Sequence, residues 1–266
     1  TLGHTPLVEQ SLTVELLFGD WFASLTRARF NALLPYATAT AGMIMVILMM
    51  LLTWRSLERK RFNLQFLFLF AANFLALMLT LSRMPILAFF LSVLLISLLR
   101  VRYPLLWIFI SLFLFFLMGP WIGNLIDMVL DLRPASTDVR FALYRYTLQQ
   151  IEGADWILGR GLKPIEESAF IIPIGSHSTY LSLLFRTGIA GLFIFICFQI
   201  HLLIRWYQLR VAAMQSPEVF LFWQGLGWIF VGMILWMLTD DIDAPQLLAF
   251  VYFSMVGVFE GFRRRL

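Results

Sequence analysis

Charge is scarce in this chain: Asp, Glu, Lys and Arg supply 14% of its 266 residues, against roughly 25% in soluble domains. Apolar residues fill the gap at 61%, with a mean hydropathy of +0.84. That balance excludes a soluble globular protein and marks an integral membrane protein. Cysteine is limited to Cys197, inside an apolar run, so no internal disulfide forms and the redox compartment is not indicated. The formal charge of +4 comes from loop arginines and makes no case for nucleic acid. Internal repeats, low-complexity tracts and a visible signal peptide are missing. So is the short alternating pattern of an outer-membrane barrel. The apolar runs also lack midspan Asp, Glu, Lys and Arg, with Asn73, Gln199 and Gln224 as their main polar side chains. Ion-coupled transporters generally place ionisable or broken-helix sites at the midplane, so chemistry at the surface is favoured over transport.

What the chain does have is long apolar runs. A spanning helix needs about 20 mainly apolar residues, and seven candidates stand out: 37–54, 63–81, 85–99, 103–119, 188–204, 219–238 and 246–262. In lipid their backbone amides must pair internally, so they are expected to be helices. The fold expected is all-α: a polytopic bundle with an outer or interfacial segment at 1–36, four spans over 37–119, a long loop at 120–187, and three spans with a basic tail over 188–266. Arg55, Arg59, Lys60, Arg61, Arg100, Arg102, Arg205, Arg210 and Arg263 to Arg265 all fall on one side of such a bundle. By the positive-inside rule that side is cytoplasmic, and the long loop faces outward. The same topology leaves Thr1 outside, so helices upstream of it are expected.

The long loop concentrates the polar chemistry. DVRFALYRYTLQQI, WILGRGL and GSHSTYLSLLFRTGIAG bring Arg140, Arg145, Arg160, Lys163, His177 and Arg186 beside a lipid phase. Histidine exchanges its proton near neutral pH, which suits a general base. Arginine stays charged and grips phosphate oxygens in pairs. Together they suit an anionic, lipid-linked substrate such as a lipid diphosphate sugar. The plainer alternative is a histidine that caps a helix and arginines that salt-bridge Asp138, Glu152 or Asp155. SHSTYLSLLFRT reads as a short interfacial helix, with Gly188 and Gly191 marking the turn into the fifth span. On that helix Arg186 points away from His177. The GRG of residues 159–161 is too short for a phosphate cradle and reads as a turn. Asp240, Asp241 and Asp243 can share a divalent cation, but an acidic turn is the commoner meaning of TDDIDAP. Arg83 sits in a tight turn, LTLSRMPIL, either as a snorkelling anchor or as part of the site. His201 lies at the far end of the fifth span from His177, and His4 carries no reading.

In order along the chain, these segments resemble the O-antigen ligase and polymerase superfamily of bacterial envelope enzymes. RFALYRYTLQQI with WILGRGL resembles its arginine, aromatic, helix and G-x-G element, with Arg140 at the arginine and Tyr144 at a usual tryptophan. HSTYLSLLFRTGIAGLF resembles its H-N-x-Y-L…G-x-x-G-L element through His177, Tyr180, Leu181, Gly188 and Gly191. LTLSRM resembles its serine-arginine turn, which carries over Arg83, and RARFNALLPYATA an altered arginine…N-P-N stretch, which carries over Arg29. Ser178 replaces the usual asparagine, and Arg186 stands where an acid is frequent. The resemblance implies a GT-C-like helical glycosyltransferase of the inner membrane, acting on a polyprenyl-diphosphate-linked glycan and a hydroxyl-bearing glycan or lipid acceptor. It implies that His177 and Arg140 are catalytic, that Arg83, Arg29 and Arg145 bind the diphosphate, and that no metal or other cofactor is needed. A multi-span transporter, with small anions as cargo, and a non-catalytic envelope assembly partner are the competing readings.

Overall fold

Apolar runs that cannot leave amides unpaired in lipid become helices in the computed structural model, which describes residues 37–58, 63–80, 82–99, 134–161, 177–242 and 246–264. Nine helices lie among the described residues: α1 Ala37–Glu58, α2 Leu64–Leu79, α3 Arg83–Leu98, α4 Pro134–Gln149, α5 Asp155–Leu158, α6 Thr179–Gln208, α7 Arg210–Ala213, α8 Pro217–Trp236 and α9 Gln246–Arg263. Strands are absent among the described residues, and the protein is an all-α membrane bundle. Helices cover six of the seven expected spans; the span expected at 103–119 lies outside the described residues. Among the described residues, three runs are long and apolar enough to cross a bilayer, Ala37–Glu58, Thr179–Ala213 and Pro217–Trp236.

Backbone contacts divide the chain into two units, residues 1–93 with 199–266, and residues 94–198. In the first, α1 packs chiefly against α2 and α8. Its contact with α8 runs antiparallel and is set by small residues. Gly42 faces Trp236, Gly232 faces Met49, and Gly225 faces Thr53. One end is pinned by a reciprocal tryptophan pair. Trp206 Nε1 donates to the Trp223 carbonyl at 2.8 Å and Trp223 Nε1 to the Trp206 carbonyl at 2.6 Å. The two rings stack with centroids 4.3 Å apart, and Gly227 makes room for Trp206. Between α9 and α6, the buried Tyr252 hydroxyl donates to Gln199 Oε1. A buried polar side chain in lipid needs such a partner.

α2 ends at Leu79 and α3 begins at Arg83, and Phe74 of α2 meets Phe90 of α3 edge-on with ring centroids 6.1 Å apart. The Thr80 hydroxyl donates to the Leu77 carbonyl at 2.7 Å, and the Ser82 amide donates to Thr80 Oγ1 at 3.2 Å. Arg83 opens α3 with Pro85 in the first turn, where a missing N–H costs no hydrogen bond. In the acidic turn after α8, Asp240 and Asp241 are buried. Asp243 lies outside the described residues.

In the second unit, α6 is not one continuous rod. Gly188, at φ 66° and ψ −169°, breaks it into a short first part, 179–187, and the apolar run beyond. The sequence reading placed a turn at Gly188 for this reason, whereas Gly191 lies inside the helix beside the Thr187 side chain.

Candidate functional site

One face of α4 carries Arg140, Leu143, Tyr144 and Thr147, at the three- and four-residue spacing that aligns side chains on a helix. Leu143 and Thr147 are buried, while Arg140 and Tyr144 are half-buried. The Thr147 hydroxyl is satisfied by the Leu143 carbonyl at 2.7 Å. Just past the helix, Ile151 packs against Phe185 of α6, flanked by Tyr146 and Leu184. This small apolar contact holds α4 against the first part of α6.

The start of α6 is set by Ser178. Its Oγ accepts from the Leu181 amide at 3.4 Å, and its carbonyl accepts from the Ser182 amide at 2.9 Å. Serine at this position satisfies amides that the first helical turn leaves open. His177 therefore precedes the helix, contrary to the reading of SHSTYL as one continuous helix. Its φ of 66° is left-handed, a conformation that costs a non-glycine residue about 1–2 kcal/mol. Helical face arithmetic for His177 and Arg186 does not apply to a residue outside the helix. The Ser-Thr pair directly after the histidine was the sequence signal for this earlier boundary.

Tyr144 joins the two pieces. Its hydroxyl donates to the main-chain carbonyl of His177. Arg140 lies one turn before Tyr144 on the same face, with Cβ atoms about 6 Å apart. A guanidinium and an imidazole-bearing residue from segments 37 positions apart in sequence are thus brought into one neighbourhood. The positive end of the α6 backbone begins one residue after Ser178, and it favours anions as Arg140 does.

A second lock involves backbone alone. The break at Gly188 leaves the last carbonyls of the first helical part without partners from their own helix. The Phe185 carbonyl accepts from the Arg160 amide at 2.8 Å, and the Arg186 carbonyl from the Gly161 amide at 2.9 Å. This closeness requires glycine on both sides. A Cβ on Gly159 would lie 2.3 Å from the Arg186 carbonyl carbon and the Thr187 nitrogen; one on Gly188 would lie 2.2 Å from the Ile157 oxygen. Gly159 and Gly188 both combine positive φ with extended ψ, a region that is essentially glycine-only. The Arg160 side chain closes the same loop, with Nε 3.3 Å from Asp155 Oδ2 and Nη1 donating to the Gln150 carbonyl at 2.9 Å.

Of the residues singled out from sequence, His177, Arg140 and Arg145 lie in this unit. Arg145 is exposed and, five residues after Arg140 at roughly 100° each, sits on a different face of α4. Arg83 belongs to the other unit, and Arg29 lies outside the described residues. Tyr144 was noted only as a substitute for tryptophan; nothing in the sequence disclosed that it reaches the His177 carbonyl. Among the described residues, no three His, Cys, Asp or Glu side chains cluster as metal ligands would.

Residues 66–196 match the O-antigen ligase family. That match, over about half of the chain, supports its place in the O-antigen ligase superfamily. The matched stretch contains Arg83, Arg140, Arg145 and His177, together with Gly159 and Gly188 of the backbone lock, and leaves Arg29 outside. A search of curated proteins gave no match. For an O-antigen ligase family member, function in general terms is O-antigen ligase-like, with a lipid-linked glycan donor and a glycan acceptor as the substrate classes.

Proposed function

We propose that this O-antigen ligase family protein transfers, or polymerises, a glycan carried on polyprenyl diphosphate at the outer face of the inner membrane. His177 acts as general base and Arg140 holds the diphosphate; Arg83, Arg145 and Arg29 are further candidates for diphosphate binding. The acceptor hydroxyl attacks the anomeric carbon and passes its proton to the His177 imidazole. The bond from that carbon to the diphosphate oxygen breaks, and the diphosphate leaves with the bonding pair. The observation that carries this reading is the Tyr144 hydrogen bond to His177, because it brings Arg140 within about a helical turn of that contact. Developing negative charge on the leaving group must meet fixed positive charge. Arginine suits that role because it keeps its proton and offers paired donors. Small-anion transport draws no support from the described spans, whose charged side chains lie towards helix ends.

The test is glycan transfer from a purified lipid-linked donor by the full-length enzyme. His177→Ala is expected to lower turnover by about 10²–10⁴-fold, the usual contribution of a general base, while the protein still inserts and binds donor. Arg140→Lys should fail although the charge is kept, Asp241→Asn should be milder, and EDTA should leave transfer intact. Wild-type turnover in His177→Ala would remove the base assignment. Activity lost to chelator and restored by magnesium or manganese would move the chemistry to the acidic turn. The proposed orientation is checked separately with an impermeant thiol reagent on intact cells. Because Asp241 is buried, Glu152→Cys is the better outer reporter. It should label, whereas Lys60→Cys should not, and the reverse pattern would invert the topology.

A further inference from the structure

Residues 155–158 form the four-residue helix α5, and its three apolar side chains are exposed. Trp156, Ile157 and Leu158 are 38%, 62% and 73% exposed. The residues on either side, Glu152, Gly153 and Ala154 before and Arg160 and Gly161 after, are exposed as well. The loop does not need these side chains for its own closure, which rests on the Arg160 contacts and on backbone packing against α6. Three adjacent exposed apolar side chains in a polar loop are the kind of surface that meets a partner or a membrane.

Their place in the fold selects between those two. The Ile157 carbonyl occupies the space beside the Gly188 α-carbon, where a Cβ would come within 2.2 Å. Gly188 is the residue at which α6 turns into its long apolar run. The next residues of that run, Ile189, Phe193 and Ile194, are exposed and apolar. Only 17% of the apolar window of Thr179–Ala213 is buried, against 61% for the α1 and α8 runs. The surface of this run is therefore a lipid-facing one, and the Trp156–Leu158 patch continues it from the point where the run begins. Tryptophan is enriched at this depth, where its ring is half in lipid and half in water. The one carboxylate of the short helix, Asp155, is held by Arg160 at 3.3 Å, which eases its approach to the headgroups.

We propose that Trp156, Ile157 and Leu158 insert into the lipid leaflet that α6 enters, and that this insertion anchors the loop at the membrane surface. The anchor sets the height of the α4–α6 neighbourhood above the lipid, because the loop's backbone is hydrogen-bonded to Phe185 and Arg186. Nothing in this anchoring depends on catalytic roles for Arg140 and His177.

The experiment places an environment-sensitive nitrobenzoxadiazole label at Leu158→Cys in a Cys197→Ser background. The full-length protein is held in nanodiscs of phosphatidylethanolamine and phosphatidylglycerol. Blue-shifted emission is expected, with stronger quenching by lipids bearing a nitroxide near the headgroup than by lipids bearing it near the chain end, and weak quenching by aqueous iodide. The same label at Glu152→Cys should behave as a water-exposed probe. Water-like emission and strong iodide quenching at residue 158 would overturn the proposal. So would shielding from iodide without quenching by either lipid, since the patch would then be covered by protein, whether a second copy or another chain. If Leu158→Cys does not fold, Ile157→Cys gives the same readout from the adjacent exposed position.

Discussion

The glycines of α1 and α8 and those where the loop around α5 meets α6 both allow chain segments to approach more closely than a Cβ would permit, but they face different atoms. Gly42, Gly225, Gly227 and Gly232 face side chains: Trp236, Thr53, Trp206 and Met49. Gly159 and Gly188 face peptide groups, the Arg186–Thr187 linkage and the Ile157–Leu158 linkage. A side chain can change rotamer to admit a methyl group, at a cost of order 0.5–1.5 kcal/mol for a modest distortion. A peptide group that is already hydrogen-bonded has no such freedom. The membrane bundle is therefore a packing of side chains with room to adjust, whereas the proposed site rests on a backbone lock that has none.

Gly188→Ala and Gly159→Ala should show the difference at its largest. Each adds a Cβ within 2.3 Å of main-chain atoms and forces alanine into a backbone region almost reserved for glycine. Loss of the lock is expected, with transfer abolished and the loop opened to protease while the protein still inserts. Limited proteolysis and the transfer assay read this out together. Protease resistance and full activity in Gly188→Ala would show that the loop is held by its side chains and would end the contrast.

A smaller effect separates strain from clash. Gly161 also has positive φ, at 78°, but a Cβ there meets nothing within 4 Å. Gly161→Ala should therefore cost only the backbone term, about 1–2 kcal/mol. Gly257 in α9 has neither positive φ nor a neighbour within 4 Å. Gly257→Ala should lose nothing and can gain up to about 1 kcal/mol of helix propensity. Thermal unfolding in detergent, with Gly188→Ala alongside, should rank the three in that order.

This division also explains what could be read from the sequence. Helices were legible because lipid forces every amide in an apolar run to pair, whatever the neighbours. The break at Gly188 and the turn at GRG were legible as local signals. That the two glycine turns lock onto each other was not, because a backbone contact between residues 159 and 187 leaves no periodicity. His177 was read into the helix because apolar spacing continues smoothly across Ser178, although the serine cap ends the helix first. Asp240 and Asp241 were read only as an acidic turn; their burial depends on packing around α8 that composition does not reveal. Of the proposed site, the sequence and its family resemblance supplied the residues, and the structure supplied the tyrosine that joins two of their segments.

Tyr144 pairs a small effect on stability with a specific effect on turnover. Removing its hydroxyl in Tyr144→Phe deletes one hydrogen bond to the His177 carbonyl, with a net cost of about 1 kcal/mol. The ring remains edge-on to Phe141, and the Ile151–Phe185 contact and the backbone lock are untouched. The loop should therefore stay closed to protease, unlike in Gly188→Ala. His177, however, loses the contact that fixes its main chain relative to the Arg140 face of α4. If Tyr144 positions the proposed base, turnover should fall while KM for the lipid-linked donor changes little. Tyr144→Trp should restore part of the turnover, because the indole N–H is also a donor. A purely structural tyrosine would give a different pattern: Tyr144→Phe and Tyr144→Trp would alter Tm together and leave turnover per folded molecule at the wild-type level.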